Sequence, residues 1–77
     1  MNTGDIHLQK LLKDIGKNIR RVRNQKNLTQ EQLDGRGFNY RWLQYIESGS
    51  RNINVSTLLR IAQALKVSVS EFFKDIS

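Results

Sequence analysis

Cysteine and proline are absent from this chain of 77 residues, and histidine occurs once, at His7. Without cysteine the chain can form no disulfide and no thiolate metal site, so a hydrophobic core has to stabilise it. His7 has no cysteine or acidic cluster beside it, and therefore forms no metal-site pattern. The sequence also has no nucleophile–base constellation, no paired carboxylates and no glycine-rich phosphate loop. We therefore expect no catalytic residue, no metal and no cofactor.

Long apolar runs are missing as well. No run approaches the roughly 18 residues that a membrane-spanning helix requires, and the chain does not open with a signal-peptide pattern. A chain of 77 residues is also near the lower limit for burying a core of its own. We therefore expect a single domain over residues 1–77, located in the cytoplasm, with no membrane partner.

Aliphatic residues recur at steps of three and four, which predicts an all-α fold. The first helix is predicted at about Ile6–Gln25, with an apolar stripe of Leu8, Leu11, Leu12, Ile15, Ile19 and Val22. Further helices are predicted at about Gln30–Asp34, Tyr40–Ser48 and Val55–Leu65, the last with Leu58, Ile61, Ala62 and Leu65 facing inward. A fifth helix after Ser68 carries Val69, Phe72, Phe73 and Ile76. These five helices predict a compact five-helix bundle.

Residues that typically cap helices stand at four of the predicted helix starts: Thr29, Asn39, Asn54 and Ser68. Thr29 and Ser68 are followed, three positions later, by Gln32 and Glu71, which completes the pattern of a capping box. Gly16 lies inside the first helix at a cost of about 1 kcal/mol relative to alanine. Its presence there predicts that a neighbouring helix approaches closely.

The second and third predicted helices are separated by a short segment that contains Gly35 and Gly37. Two short helices joined by a tight turn are typical of a helix-turn-helix DNA-binding motif. An ordinary helical hairpin has the same pattern. Residues 1–26 have seven basic and two acidic side chains, which is +5 of the chain's net charge of +6. This concentration favours a nucleic acid or an anionic membrane as partner, although a solvated lysine-rich helix face has the same composition.

Three blocks in order along the chain resemble the lambda-repressor-like helix-turn-helix family, also called the Cro-repressor or xenobiotic-response-element type. They are I-G-K-N-I-R-R-V-R-N-Q-K-N-L-T-Q-E-Q-L, then I-E-S-G-S-R-N, and then T-L-L-R-I-A-Q-A-L-K-V-S-V-S-E-F-F. The resemblance covers about residues 15–73 and leaves residues 1–14 as an N-terminal extension of the first helix. It implies a five-helix bundle that binds double-stranded DNA with its second and third helices.

Two details refine this resemblance. The short chain and the R-N-x-x block at Arg51–Asn54 also look like the controller proteins of restriction–modification systems. In contrast, the segment at positions 33–37 is one residue shorter than in most members of the family. We therefore expect the second helix to end early, which alters its angle to the third helix and bears on the base contacts.

The third helix can be oriented from its own residues. With Leu43 and Ile46 toward the core, a step of about 100° per residue puts Arg41 and Tyr45 on the opposite side, while Trp42 lies on a flank as a packing residue. Arginine can hold guanine O6 and N7, and glutamine can pair with adenine N6 and N7. The predicted base-contacting residues are Tyr40, Arg41, Gln44 and Tyr45. For Tyr45, an ordinary surface tyrosine is an equally simple reading.

The resemblance also implies the residues that flank the base contacts. The predicted phosphate-contacting residues are Gln30, Asn39, Ser50, Arg51 and Asn52. Gln30 opens the second helix, where backbone N–H groups favour an anion. Arg23 matches a family arginine that pairs with the glutamate at the position of Glu47, which implies a structural ion pair.

One reading helix covers few base pairs, so we expect a homodimer on a roughly palindromic operator, with no small-molecule effector. The predicted dimer surface comprises Val69, Phe72, Phe73 and Ile76, although Val69 and Phe72 can instead complete the core of the monomer. The alternative function is a protein-binding module such as an antitoxin on the same fold. A third hypothesis is membrane binding through the basic first helix. It is disfavoured because the apolar face of that helix is needed for the core.

Overall fold

The computed structural model describes residues 6–34 and 37–76. It contains four α-helices, α1 (Ile6–Gln25), α2 (Gln30–Asp34), α3 (Tyr40–Ser48) and α4 (Val55–Leu65), followed by a 3₁₀ helix (Val69–Phe73). No strand occurs in these described residues, so the predicted all-α class is confirmed for them. The predicted extension at residues 1–14 and the predicted turn glycine Gly35 lie partly or wholly outside the described part.

The prediction of a fifth α-helix was wrong, because the last element is a 3₁₀ helix. Glu71 N donates to Ser68 O at 3.0 Å, which is the shorter 3₁₀ connection. Ser68 Oγ accepts from Ser70 N at 3.3 Å rather than closing the predicted capping box with Glu71. The chain then leaves the helix at Lys74, which is extended, and Asp75 has a φ of 60°. The helix therefore ends after five residues, at Phe73.

The core forms where α1 meets the other helices. Its buried apolar side chains are Ile15, Ile19, Val22, Leu33, Phe38, Leu43, Ile46, Leu58, Ile61, Ala62, Leu65 and Phe72. Helix α1 packs against α3 and the 3₁₀ helix, α2 packs against α3, and α4 packs against the 3₁₀ helix. Burial of one such side chain contributes about 1.5–3 kcal/mol, so this cluster is the main source of stability.

The first two turns of α1 extend beyond this core. A helix of 20 residues is about 30 Å long, close to the longest dimension of the molecule, 34 Å. The prediction that Leu8 and Leu11 face the core was wrong, since they are 37% and 36% exposed. Their helical spacing continues the inward stripe, but they precede Ile15, the first buried residue of α1.

Local capping sets the starts of α2, α3 and α4. Gln32 N donates to Thr29 Oγ1 at 3.1 Å and Thr29 N donates to Gln32 Oε1 at 2.7 Å, which confirms the predicted capping box. Asn39 Oδ1 accepts from Trp42 N at 3.0 Å, and Asn54 Oδ1 accepts from Thr57 N at 2.8 Å. All three predicted caps are therefore confirmed.

Two glycines allow α1 and α3 to touch through their backbones. A Cβ atom on Gly16 would lie 2.6 Å from the carbonyl oxygen of Ile46, and one on Gly49 would lie 2.7 Å from Cα of Lys13. Gly49 also has a φ of 76°, so it ends α3 in the left-handed conformation. The close approach predicted from Gly16 is thus confirmed, and the helix that makes it is α3.

Polar side chains of α1 hold the 3₁₀ helix in place. Asn18 Nδ2 donates to the carbonyl oxygens of Phe72 and Lys74, each at 2.9 Å, and Arg21 Nη2 donates to Glu71 O at 3.3 Å. Carbonyl groups at the end of a helix have no partner within that helix. These two side chains therefore supply the partners and dock the C-terminal segment on α1.

Candidate nucleic-acid interface

Helices α2 and α3 form a compact pair joined through buried side chains. Leu33, Phe38 and Leu43 are buried between them and the rest of the core. The ring of Phe38 stacks on Trp42 with centroids 5.9 Å apart, and the guanidinium of Arg60 lies 5.3 Å from the centre of the Phe38 ring. Trp42 is half-buried against the core, which agrees with its predicted packing role. As predicted, α2 ends early, at Asp34.

A buried ionic junction sets the position of α3 against α1 and α2. Arg23 Nε donates to Glu47 Oε2 at 2.6 Å, and its Nη2 donates to Glu47 Oε1 at 3.0 Å. Gln30 Nε2 donates to the same Oε1 at 3.0 Å, and Arg23 Nη1 donates to Leu28 O at 2.8 Å. Arginine and carboxylate are thus paired by two parallel bonds, which is the strongest geometry available to them.

The hydrogen bond to Glu47 raises the pKa of Arg23 above its ordinary value, although burial of the guanidinium lowers it. A raised pKa in the folded state means that the stabilisation is present below the unfolded value and lost only above the folded one. The ordinary pKa of an arginine already lies above the range in which proteins are handled. Arg23 is therefore charged at every pH at which the protein can be handled.

The outer face of α3 presents polar and aromatic side chains to the surface. Arg41, Gln44 and Tyr45 are exposed, whereas Tyr40 is half-buried. Gln44 Nε2 donates to Tyr40 Oη at 2.9 Å, so these two side chains are paired across one helical turn. The opposite face of α3 is closed off by Leu43 and Ile46, both buried. Three of the four predicted base-contacting residues, Arg41, Gln44 and Tyr45, therefore lie on the exposed side of α3, and Tyr40 lies at the edge of that side.

The segment after α3 lies beside this face. Ser50, Arg51 and Asn52 are exposed, and the guanidinium of Arg51 lies 4.4 Å from the centre of the Tyr45 ring. Ser48 Oγ and Ser50 Oγ are 2.6 Å apart. The other two predicted phosphate contacts have internal roles, since Asn39 caps α3 and Gln30 bonds to Glu47. Each amide still has an N–H with which it can donate to an outside group.

A cleft of about 440 Å³ lies between α1, α2 and α3. Its lining includes Gln30, Gln44 and Ser48 and also Arg20 of α1, a residue that our sequence analysis did not select. A basic residue on the outside of α1 gives no local signal of what it faces. Only the crossing of α1 over α3 brings Arg20 beside the outer face of α3.

The structure divides the predicted dimer surface. Phe72 is fully buried in the core of the monomer, so its prediction as an interface residue was wrong. The cause is that the short 3₁₀ helix turns this ring inward beneath α1 and α4. Phe73 is 45% exposed, and Val69 and Ile76 are half-buried at the edge of the core. What remains at the surface is the ring of Phe73, together with the exposed parts of Val69 and Ile76.

Fold and surface together define a class of protein. The chain belongs to the helix-turn-helix family, which its sequence matches over residues 19–72. Members of this lambda-repressor-like family are regulators of transcription that bind DNA and are not enzymes. This confirms the resemblance inferred from the three sequence blocks.

Within this class, the chain is similar to two kinds of protein. It is 47% identical over 55 residues to an uncharacterised helix-turn-helix transcriptional regulator, y4dJ, from Sinorhizobium fredii, covering 70% of this chain and 71% of that protein. It is 36% identical over 70 residues to the control protein C.SmaI from Serratia marcescens, covering 90% and 83%. The crystal structure of the restriction–modification controller protein C.AhdI from Aeromonas hydrophila superposes with a TM-score of 0.75 at 32% identity, covering 80% of this chain and 96% of that chain.

None of the helices in residues 6–34 and 37–76 is long and apolar enough to cross a membrane.

Proposed function

We propose that this protein is a sequence-specific transcriptional regulator that reads a DNA operator with the outer face of α3. The observation that carries the proposal is the arrangement of Arg41, Gln44 and Tyr45, which are exposed on one face while the opposite face is locked in the core. Arginine and glutamine are the side chains best suited to read guanine and adenine in the major groove. Tyr40 belongs to the same set through its bond to Gln44.

Contacts to phosphate position this face on the duplex. Ser50, Arg51 and Asn52 follow α3 directly and are exposed, as phosphate contacts require. The remaining N–H groups of Asn39 and Gln30 add donors at the other end of α3 and at α2. Contacts of this kind carry no sequence information, so they set affinity and register while α3 sets the choice of site.

We propose further that two copies bind a roughly palindromic operator, with their reading helices about 34 Å apart, one turn of DNA. The exposed ring of Phe73, with Val69 and Ile76 at its edge, is the surface proposed for pairing. An apolar patch of this kind on a small domain supports an isologous contact. Because its partner is DNA, we place the protein in the cytoplasm.

The relatives support a narrower assignment. Two of the similar proteins are controllers named for restriction–modification systems or as control proteins. We propose that this chain has the same type of role, in which a small regulator sets the transcription of neighbouring genes. Neighbouring methyltransferase and endonuclease genes would support it, and a toxin gene in their place would favour the antitoxin alternative.

Selection of bound duplexes from a random pool, followed by affinity measurements on the selected site, tests the proposal. Arg41→Ala should weaken the selected site by about 1–3 kcal/mol and relax the preference at one base pair. Arg51→Ala should instead weaken selected and random duplexes by similar factors. Lys66→Gln, which removes one charge from the end of α4, is the matched control. Recovery of no preferred sequence, or equal behaviour of Arg41→Ala and Arg51→Ala, contradicts the proposed reading face.

Sedimentation equilibrium at micromolar concentration tests the pairing. We expect a dimer for the wild type and a monomer for Phe73→Asp. Gln63→Asp is the control, because Gln63 is an exposed position on α4 where a charge should change nothing. A monomeric wild type, or an undisturbed dimer in Phe73→Asp, removes this surface from the proposal.

A further inference from the structure

We infer that the outer face of α1 is a second DNA-contacting surface, a phosphate track made of Lys13, Lys17 and Arg20. This inference rests on the proposed function, since it takes α3 to be the helix that enters the groove. The phosphate track binds the sugar–phosphate backbone beside that groove. It thereby adds backbone contacts from a helix that lies outside the helix-turn-helix unit.

The three side chains form one row. At about 100° per residue, positions 13, 17 and 20 of a helix fall within about 60° of one another. They span about 10 Å along the axis of α1. Lys13, Lys17 and Arg20 are all exposed. The phosphate track therefore presents three cations in a line.

The phosphate track runs alongside α3. The backbone of Lys13 is so close to Gly49 that a Cβ on that glycine would lie 2.7 Å from Lys13 Cα. Gly49 directly precedes Ser50, so this end of the track adjoins the proposed phosphate-binding segment. At the other end, Arg20 shares a cleft with Gln44 and Ser48 of α3. A strand that passes the outer face of α3 on this side meets α1 next.

Within the described part of the chain, the three cations of the phosphate track form no ion pair. Lys10 pairs with Asp14 at 2.7 Å, and Arg23 pairs with Glu47. Across residues 6–34 and 37–76, no carboxylate comes within ion-pair distance of Lys13, Lys17 or Arg20. Like charges held in a row repel one another. A polyanion that binds them neutralises these charges and releases its own condensed counterions, which favours binding. A DNA strand is the polyanion that fits a linear track beside a reading helix.

The salt dependence of binding to a random-sequence 30-base-pair duplex measures these contacts directly. Lys13→Gln/Lys17→Gln should lower the magnitude of the slope of log K against log salt by about 1.8 per protomer, about 0.9 for each phosphate contact. The control is Lys66→Gln/Lys74→Gln, an identical pair of substitutions away from the phosphate track. It should leave the slope within about 0.5 of the wild type, since its lysines contact no phosphate.

Glu31 supplies a test of opposite sign, because this exposed carboxylate lines the cleft at the Arg20 end of the phosphate track. Glu31→Gln should strengthen binding to the random duplex. The control is Glu71→Gln, which makes the same substitution in the 3₁₀ helix, away from the cleft, and should leave binding unchanged. The preference for the selected operator over the random duplex should stay the same in every variant of the phosphate track, because phosphate contacts carry no sequence information.

The outcomes separate the two ideas. Equal slopes for the two lysine double variants overturn the phosphate track and leave the proposed function standing. Loss of operator preference in Lys13→Gln/Lys17→Gln, with an unchanged slope, also overturns it. A wild type that binds no duplex overturns both. Thermal unfolding of each variant is followed by circular dichroism, and binding is measured below the lowest melting temperature, so that a change in folding is not mistaken for lost contacts.

Discussion

Helix α1 holds the rest of the chain at two polar junctions that are built in opposite ways. At the junction with α3, the charged side chains of Arg23 and Glu47 are buried together. At the junction with the 3₁₀ helix, Asn18 and Arg21 bond to carbonyl groups of the main chain. The first junction needs two particular side chains that lie 24 positions apart. The second needs particular residues on α1 alone, because every partner sequence has carbonyl groups.

Because of this difference, removing a side chain should cost more stability at the first junction than at the second. Removing one partner of a buried ion pair leaves an uncompensated charge in the core, whereas removing a donor to a partly exposed carbonyl lets water take its place. The orientation of the proposed reading helix therefore depends on the more demanding junction. The C-terminal segment depends on the more tolerant one, together with the buried ring of Phe72.

The largest effect should come from Glu47→Ala, which leaves Arg23 charged and buried. We expect a loss of about 3–5 kcal/mol, out of a total stability of roughly 4–12 kcal/mol for a chain of this size. Each kcal/mol corresponds to about 4–8 °C in melting temperature, so thermal unfolding followed by circular dichroism measures the change. Asp75→Ala removes a carboxylate that is exposed to solvent, so it should shift the melting temperature little.

A double-mutant cycle then isolates the pair itself. Arg23→Ala and Glu47→Ala should be strongly non-additive, with a coupling in the range of about 0.5–3 kcal/mol. Additive losses would mean that the two side chains do not act as one unit, and the contrast between the junctions would lose its basis.

Gly16→Ala should come next, at the backbone contact of the same junction. Helix propensity alone predicts a gain of about 1 kcal/mol, but the new methyl group would meet the carbonyl oxygens of the last turn of α3. The obstacle is main chain, so the overpacking cost should lie at the upper end of the usual range, about 3 kcal/mol. Urea unfolding should therefore show a net loss of about 2 kcal/mol after the gain in helix propensity. Lys17→Ala is the control on the exposed side of α1. A stabilised Gly16→Ala variant would show that α3 can move away without penalty.

Asn18→Ala should have a smaller effect, at the tolerant junction. It removes two hydrogen bonds to main-chain carbonyls, each with a net value of about 0.5–1.5 kcal/mol, and water can reach part of the vacated site. We expect a loss of about 1–2 kcal/mol in urea unfolding, below that of Glu47→Ala. The exposed Asn24 provides the control, as Asn24→Ala. A loss as large as that of Glu47→Ala would reverse the ranking of the junctions.

The smallest effect on stability should come from the exposed contact between Arg51 and Tyr45, in contrast to the buried Arg23. Tyr45→Leu removes the ring beneath Arg51, and such contacts contribute about 0.5–1 kcal/mol at the surface. Tyr45→Phe keeps the ring and should be neutral in the free protein. Thermal unfolding of both variants checks this, and a larger loss in Tyr45→Phe than in Tyr45→Leu would exclude a stabilising contact through the ring.

The bounds of α1 to α4 were predictable because their signals are local. Thr29 with Gln32, and the caps Asn39 and Asn54, mark helix starts in the sequence, and they form those same bonds in the structure. The type of the last helix was not predictable in this way. Its pattern from Ser68 to Phe73 suits both helix types, and the extended Lys74 that ends it gives no signal of its own.

Helical spacing predicted which side chains are buried only in the part of α1 that packs against other helices. Leu8 and Leu11 repeat the spacing of Ile15 and Ile19, yet spacing does not say where the rest of the molecule stops. For the same reason, Phe72 and Phe73 look alike in the sequence, although one is in the core and the other is at the surface. The partners Arg23 and Glu47 came only from the family resemblance, since no spacing rule connects positions so far apart. The position of Arg20 in the cleft was missed because it depends on how α1 crosses α3.

The glycine contact between α1 and α3 has a consequence for how such regulators diversify. Gly16 contacts the peptide groups of Ile46 and Glu47, which lie on the inner side of α3. The exposed positions 41, 44, 45 and 48 are not part of this contact. Substitutions at those outward positions should therefore change which operator is preferred without re-aiming the helix. Variants of this one scaffold could then be built as a set of mutually independent genetic switches, each with its own operator.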